Sequence, residues 1–345
     1  MDAVRELPLL TADLPGTGGR LKISPAHFVV DEIPAYEPCG EGAHVYLEVR
    51  REGMTTRDVQ RALAGALGVA ERDVGCAGQK DKISRATQTF SLPLASGAVE
   101  EIASRAAAAT GLEVLAAKRH RNKLGRGHLA GNRFAIVVGD VGEDAVERAR
   151  AILARLEQQG LPNFFGEQRL GPGDRNARRG ARRLDDPTGA AAKSWIARME
   201  LSAWQSALFN AWLRERMARG WFDRVLAGDV ARKEDTGGLF EVVDAATEGA
   251  RFARGEISVT GPIYGAKMRP AGGEPGELER AVLEAAGVDA SALAGARLAG
   301  SRRPARVFPR DTSVALHPEG LHVAFRLPKG AFATMAMREI TKAPV

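Results

Sequence analysis

Strand-like alternation occupies both flanks of this 345-residue chain and thins out between residues 160 and 300, where helical periodicity takes over. A chain of this length exceeds the usual size of one hydrophobic core, so two domains are expected. On the amino side, AHVYLEVR (43–50) puts Val45, Leu47 and Val49 on one face, the pattern of a half-buried strand. Thr55 or Thr56 then caps a helix whose Val59, Leu63 and Leu67 recur every four residues. A short strand at 74–77, a loop around Asp81 and a strand from Thr87 to Leu92 follow. NRFAIVV (132–138) is another strand with Phe134, Ile136 and Val138 on one face, and a helix over 143–158 stops at Gly160.

The middle is dominated by LSAWQSALFNAWLRERMAR (201–219), a helix ended by Gly220, with Trp204, Leu208, Trp212 and Met217 as its buried stripe. Alanine-rich segments at 277–286 and 288–298 also favour helix. Beyond Pro304 the strand texture returns: DTSVALHPEGLHVAFRLP makes two strands about a turn at His317–Gly320, with ATMAMREI following Gly330. Strand-rich flanks around a helical middle predict an α+β domain interrupted by an inserted one. The boundaries are 1–157 and 304–345 for the first, and 158–303 for the insertion.

No apolar run reaches the length of a membrane span, and the amino terminus lacks the basic and apolar regions of a secretion signal. With two cysteines, Cys39 and Cys76, a cytoplasmic location is expected. The six histidines show no HxxxH pairing and no CxxC occurs, so no metal site is expected, and His27 reads as a surface or supporting residue. No GxxxxGK[ST] loop is present, and the glycines at 16–19 and 171–173 lack a strand-then-helix setting, which disfavours ATP or NAD dependence.

A net charge of +6 suits a polyanionic partner. KRHRNKLGRGH (118–128) and RNARRGARR (175–183) concentrate that charge without interleaved acids, unlike salt-bridged helix faces. Arginine forks and glycine-exposed amides both suit phosphate oxygens. Within GCAGQKDKISRATQTFSLP (75–93), Asp81 stands between Lys80 and Lys82. A carboxylate after glycine is commonly a turn former, but flanking positive charge favours its anion, and an ionised Asp is a nucleophile in some covalent mechanisms. Local chemistry leaves both roles open.

Eight strings in register change the weighing: LKISPAHFVVDEI (21–33), AGQKDKISRATQ (77–88), KLGRGHLAGNRFAI (123–136), LPNFFGEQRLG (161–171), SAWQSALFNAWLRER (202–216), GPIYG (261–265), SRRPARVFP (301–309) and FRLPKGAFATMAMREI (325–340). In this order they resemble the TruD family of tRNA pseudouridine synthases over nearly the whole chain. The resemblance implies a pseudouridine-synthase-like catalytic core of mixed or antiparallel sheet with helices, interrupted by a mostly helical insertion. It implies isomerisation of a uridine in tRNA, at position 13 in the D arm, with no cofactor and no metal. The partner is then tRNA, with no membrane and no obligate protein partner.

By the same resemblance, the Asp of the family's GxKD motif is Asp81, the nucleophile, attacking either C1′ of the ribose or C6 of the uracil. Phe28, Asn132, Phe134 and Phe332 match substrate-contacting positions, with Asp31 and Glu32 standing where the family often has one acid. Lys22 matches a basic residue near the nucleophile. Aromatic rings can hold a flipped uracil and an amide can pair its edge, although strand position alone also permits each Phe to be core packing. Arg119, Arg121, Lys123 and Arg126 are expected to line an RNA cleft between the two domains. Two rivals remain: a non-catalytic RNA-binding protein on this scaffold, and a metal-free hydrolase pairing Glu32 with Asp81.

Overall fold

The computed structural model describes residues 7–21, 24–184, 194–288 and 290–343. The amino-terminal part runs β1 (Phe28–Pro34), β2 (His44–Glu52), α1 (Thr56–Leu67), β3 (Gly75–Cys76), β4 (Arg85–Leu92), α2 (Val99–Thr110), β5 (Glu113–His120), β6 (Leu129–Val138) and α3 (Ala145–Gln159). The middle follows with β7 (Leu161–Pro162), α4 (Glu167–Leu170), α5 (Arg175–Leu184), α6 (Trp195–Ala218), β8 (Val230–Lys233), β9 (Leu239–Glu241), α7 (Ala245–Ala253), β10 (Ile257–Ile263), α8 (Gly273–Ala285), α9 (Ala290–Gly295) and β11 (Ser301–Pro304). The chain closes with β12 (Arg306–Val307), β13 (Arg310–His317), β14 (Gly320–Pro328) and α10 (Ala333–Thr341).

The flanks build one eight-stranded mixed sheet in the order β13-β14-β6-β1-β4-β2-β5, with β3 pairing β4. Its pairings are antiparallel except β1 with β4. The alternation read in β2 is real: Val45, Leu47 and Val49 are buried and lie opposite Leu92, Phe90 and Gln88 of β4. Val59, Leu63 and Leu67 of α1 join them in one apolar cluster with residues of α2. The N-cap of α1 is Thr55, which accepts from the Asp58 amide while Asp58 accepts from Thr55, a reciprocal capping box. On the other half, α3 and α10 cover β6, β13 and β14 through Ile152, Leu156, Met337 and Ile340. Directly opposed residues of paired strands point the same way. Val30 opposes Ala86 and Phe134, so the two helix pairs cover one face of the sheet and flank β1 between them.

The middle carries a four-stranded sheet, β11-β10-β8-β9, that its texture does not announce. Six of the seven residues of β10 are buried, so no polar alternation marks it, and β8 and β9 are short. The long helix begins earlier than its apolar stripe, at Trp195, and Trp204, Leu208 and Trp212 are buried as read. A β-carbon on Gly261 would lie 2.2 Å from the Trp212 ring, so only glycine lets β10 approach α6. The helix expected at 288–298 is short, because beyond Gly295 the Leu298 and Ala299 carbonyls accept from Ala266 and Lys267 instead. The chain enters and leaves this middle region through β7 and β12, which pair antiparallel.

Candidate active site

Strand register assembles the floor of the site. Val30 faces Phe134 and Glu32 faces Asn132, so Phe28, Val30, Glu32, Asn132 and Phe134 share the helix-covered face. Strand parity sends Asp31 to the opposite face, which selects Glu32 from the acidic pair. Above this floor lies the 77–84 loop, and between them a cavity of about 240 Å³ reaches Gln168 and Phe332. A β-carbon on Gly78 would sit 3.0 Å from both the Glu32 carboxylate and the Lys80 ammonium, so glycine allows the loop to close down on the strand.

The loop is pinned by its backbone. Thr56 Oγ1 accepts from the Lys80 amide at 2.9 Å and donates to Gln88 Oε1 at 3.1 Å, while Gln88 Nε2 donates to the Gly78 carbonyl at 2.8 Å. The Asp81 carbonyl accepts from Arg51 and from Ser84 Oγ, each at 2.7 Å. Arg51 is buried, and its desolvation draws the guanidinium below the ordinary arginine range, opposed by the nearby Asp81 charge. These ties leave the Asp81 side chain on the cavity side, where Gln168 Nε2 donates to Oδ2 at 2.9 Å.

Lys80 points elsewhere. Its Nζ lies 2.9 Å from Glu32 Oε2 and 2.8 Å from Asn132 Oδ1, with the Lys80 and Glu32 side chains only 6% and 4% exposed. The expectation that both flanking lysines serve Asp81 is therefore corrected for Lys80, which neutralises the buried Glu32 instead. An uncompensated buried carboxylate is costly, and this ammonium is its counter-charge. Because an ammonium only donates, Asn132 must turn its oxygen to Lys80, leaving its NH₂ as the free end of the amide. Lys22 lies outside the described residues.

The aromatic residues divide. Phe28 and Phe134 are 4% and 7% exposed, meet edge to face with centroids 6.4 Å apart, and belong to the main core while also lining the cavity. Phe332 is partly exposed, precedes α10 as its N-cap residue, and meets Phe165 edge-on at 5.9 Å. The basic run divides too. Arg126 reaches the Asp81 loop, 3.5 Å from the Gly78 carbonyl. Arg119 donates to the Leu94 and Gly97 carbonyls at 2.7 Å, Arg121 pairs with Glu41, and Lys123 donates to the Arg72 carbonyl at 2.7 Å. None of the four lines the Asp81 cavity, and only Arg126 reaches the loop beside it. Gln168, Thr56, Gln88, Arg51 and the Lys80–Glu32 pair were not singled out from sequence as a site. The available signal was polar residues interrupting apolar stripes, as Gln88 does opposite Val49. Among the described residues no three His, Cys, Asp or Glu side chains cluster as a metal site, and no helix is long and apolar enough to cross a membrane.

The family model described as tRNA pseudouridine synthase D (TruD) matches residues 6–179 and 187–340. The chain belongs to the TruD family. It is 49% identical over 349 residues to the tRNA pseudouridine synthase D of Anaeromyxobacter dehalogenans strain 2CP-C, covering 98% of this chain and 97% of that one. It is 43% identical over 335 residues to a protein of the same description from Thermus thermophilus, covering 97% and 92% of the two chains. The crystal structure described as the putative tRNA pseudouridine synthase D from Methanosarcina mazei superposes with a TM-score of 0.74 at 24% identity, covering 98% and 97%, a likeness of fold. TruD proteins isomerise uridine to pseudouridine in tRNA, and membership makes this chain an isomerase of that kind.

Proposed function

We propose that Asp81 is the nucleophile in the conversion of uridine 13 of the tRNA D arm to pseudouridine, without cofactor or metal. One observation carries the reading: the Asp81 backbone is clamped by Arg51, Ser84 and, through Lys80, by Thr56, while its carboxylate meets the amide end of Gln168 across the cavity. A fixed backbone with a side chain at a cavity wall suits attack on a base turned out of its stack. In one route the carboxylate displaces N1 from C1′, the base turns, and C5 then attacks C1′ and displaces the carboxylate; in the other it adds to C6, the N1–C1′ bond breaks, C5 bonds to C1′ and the carboxylate is expelled from C6. In either route C5 loses its proton, N1 gains one and Asp81 is regenerated, so the sum is an isomerisation. Phe332 offers the detached uracil a ring face, and the Asn132 NH₂ offers a donor to a uracil carbonyl.

Residues 1–157 with 304–345 act as the catalytic domain and 158–303 as its insertion, a division supported by the adjacent strands β7 and β12. Arg126 contacts the RNA backbone beside the loop. The enzyme acts in the cytoplasm. The hydrolase rival loses support because Glu32 is committed to Lys80. Asp81→Asn tests the assignment: single-turnover assay at saturating enzyme should give no pseudouridine, with circular dichroism and filter binding of tRNA near wild type. Substantial product from a folded variant would refute the nucleophile, and lost folding would return Asp81 to a turn-forming role.

A further inference from the structure

A second cavity, about 770 Å³, opens between α6 and the 296–304 segment, on the far side of Phe165 from the Asp81 site. Arg169 and Arg303 line it, their guanidinium carbons 6.0 and 3.9 Å from the Phe165 ring centroid. Their partners are neutral. Arg303 donates to the Asn163 carbonyl at 3.1 Å and to Asn163 Oδ1, and Arg169 donates to Ser206 Oγ at 3.3 Å and to Ser202 Oγ. Neither forms an ion pair with a carboxylate among the described residues. The contrast lies close by: Arg302 in the same cavity pairs with Glu279 at 2.7 Å, and Arg216 pairs twice with Asp229 at 2.8 Å. Burial and the neighbouring Arg169 charge push Arg303 down to about 9, and burial lowers Arg169 as well. Two crowded, desolvated cations that lack an acid are completed by an anion.

We propose that Arg169 and Arg303 form a phosphate subsite that grips the phosphodiester next to the target nucleotide. The inference rests on the reading of the Asp81 cavity as the uridine site. The two cavities share no lining residue but are bridged by residues in contact or adjacent in the chain. Phe165 touches Phe332, which lines the smaller cavity, and Gln168, the residue before Arg169, donates to Asp81. Arg303 Nη1, engaged by no described residue, lies 3.6 Å from where a β-carbon on Gly330 would stand, at the wall of the Asp81 cavity. Fixing that phosphate here holds the ribose of the turned-out nucleotide against Asp81, using a charge that every RNA sequence carries.

The test measures binding rather than turnover, so it stands apart from the nucleophile assignment. The modified uridine is first mapped with wild-type enzyme, and synthetic tRNA is then made with a neutral methylphosphonate at either phosphate flanking it. One of the two replacements should weaken wild-type binding about tenfold, as expected for a charge-assisted contact. The same replacement should change binding by less than about twofold in Arg169→Gln and Arg303→Gln, whose subsite is already broken. Arg303→Lys keeps the charge and guards against a fold lost at the Phe165 contact, with circular dichroism as the check. Equal losses in wild type and variants at both positions overturn the subsite. Inorganic phosphate supplies a second, RNA-free arm. Millimolar phosphate should raise the wild-type Tm more than that of Arg169→Gln, and an equal rise overturns the subsite as surely.

Discussion

Lys80→Met removes one half of the buried pair beneath the Asp81 loop and leaves the Glu32 carboxylate without its counter-charge. The two side chains are 6% and 4% exposed and 2.9 Å apart, so little solvent screens the lost ammonium. Breaking a pair this deep costs about 3–5 kcal/mol. Arg85→Met is the internal control: Arg85 and Glu52 are 2.8 Å apart but 44% and 45% exposed, and losing that pair should cost at most about 1 kcal/mol. The double variant Lys80→Met with Glu32→Met takes away the stranded carboxylate and should recover about 2 kcal/mol or more of the single variant's loss. Stability at this sheet is read locally by native-state hydrogen exchange of the β6 amides in rising urea. Lys80→Met should also slow single-turnover pseudouridine formation, since Lys80 Nζ holds the Asn132 oxygen and so fixes the amide that lines the cavity. A Lys80→Met protein within about 1 kcal/mol of wild type would refute the buried-pair account, as would a double variant no more stable than the single.

Phe332→Ala should slow turnover more than it weakens tRNA binding and leave stability near wild type, whereas Phe134→Ala should lose about 3–5 kcal/mol of stability because its ring is core; urea unfolding beside single-turnover rates separates the two. Arg126→Ala should flatten the log–log salt dependence of tRNA binding by about one unit or less, while Arg119→Ala should leave that slope unchanged and loosen the loop carbonyls it holds. Activity on prefolded tRNA should survive EDTA, and activity lost to the chelator and restored only by zinc would overturn the cofactor-free mechanism.

What was legible in the sequence follows from how far each signal reaches along the chain. Alternation in 43–50, a cap at Thr55 or Thr56 and the stripe of α6 are set within a few residues, and each stands where its pattern put it except Met217, which is only partly buried. The strand β10 was missed because burial on both faces erases the period on which a strand is recognised. Asp81 was singled out through its motif, but Lys80 was misjudged because sequence adjacency suggested a partner one residue away. Its partners are Glu32 and Asn132, brought beneath the loop by strand register. The basic run is subject to the same limit of range, since none of its four residues lines the Asp81 cavity. Arg119 looks like a phosphate ligand in composition, yet its guanidinium fastens the Leu94 and Gly97 carbonyls, residues that only folding brings near.

The site draws on Glu32, Asp81, Asn132, Gln168 and Phe332, so its walls emerge from the ribosome at widely separated times. β14 slots between β13 and β6, and α10 is tied to the other end of the chain where the Glu339 carboxylate accepts from the Thr11 amide, 328 residues away. Closing so wide a loop is slow and cannot begin until α10 is synthesised. A nascent chain therefore carries its acid without the ring and amide that surround it, and the enzyme comes into being in a single late step rather than by degrees. A chain that stops short of Phe332 keeps both basic runs and Asp81 yet lacks one wall of the Asp81 cavity.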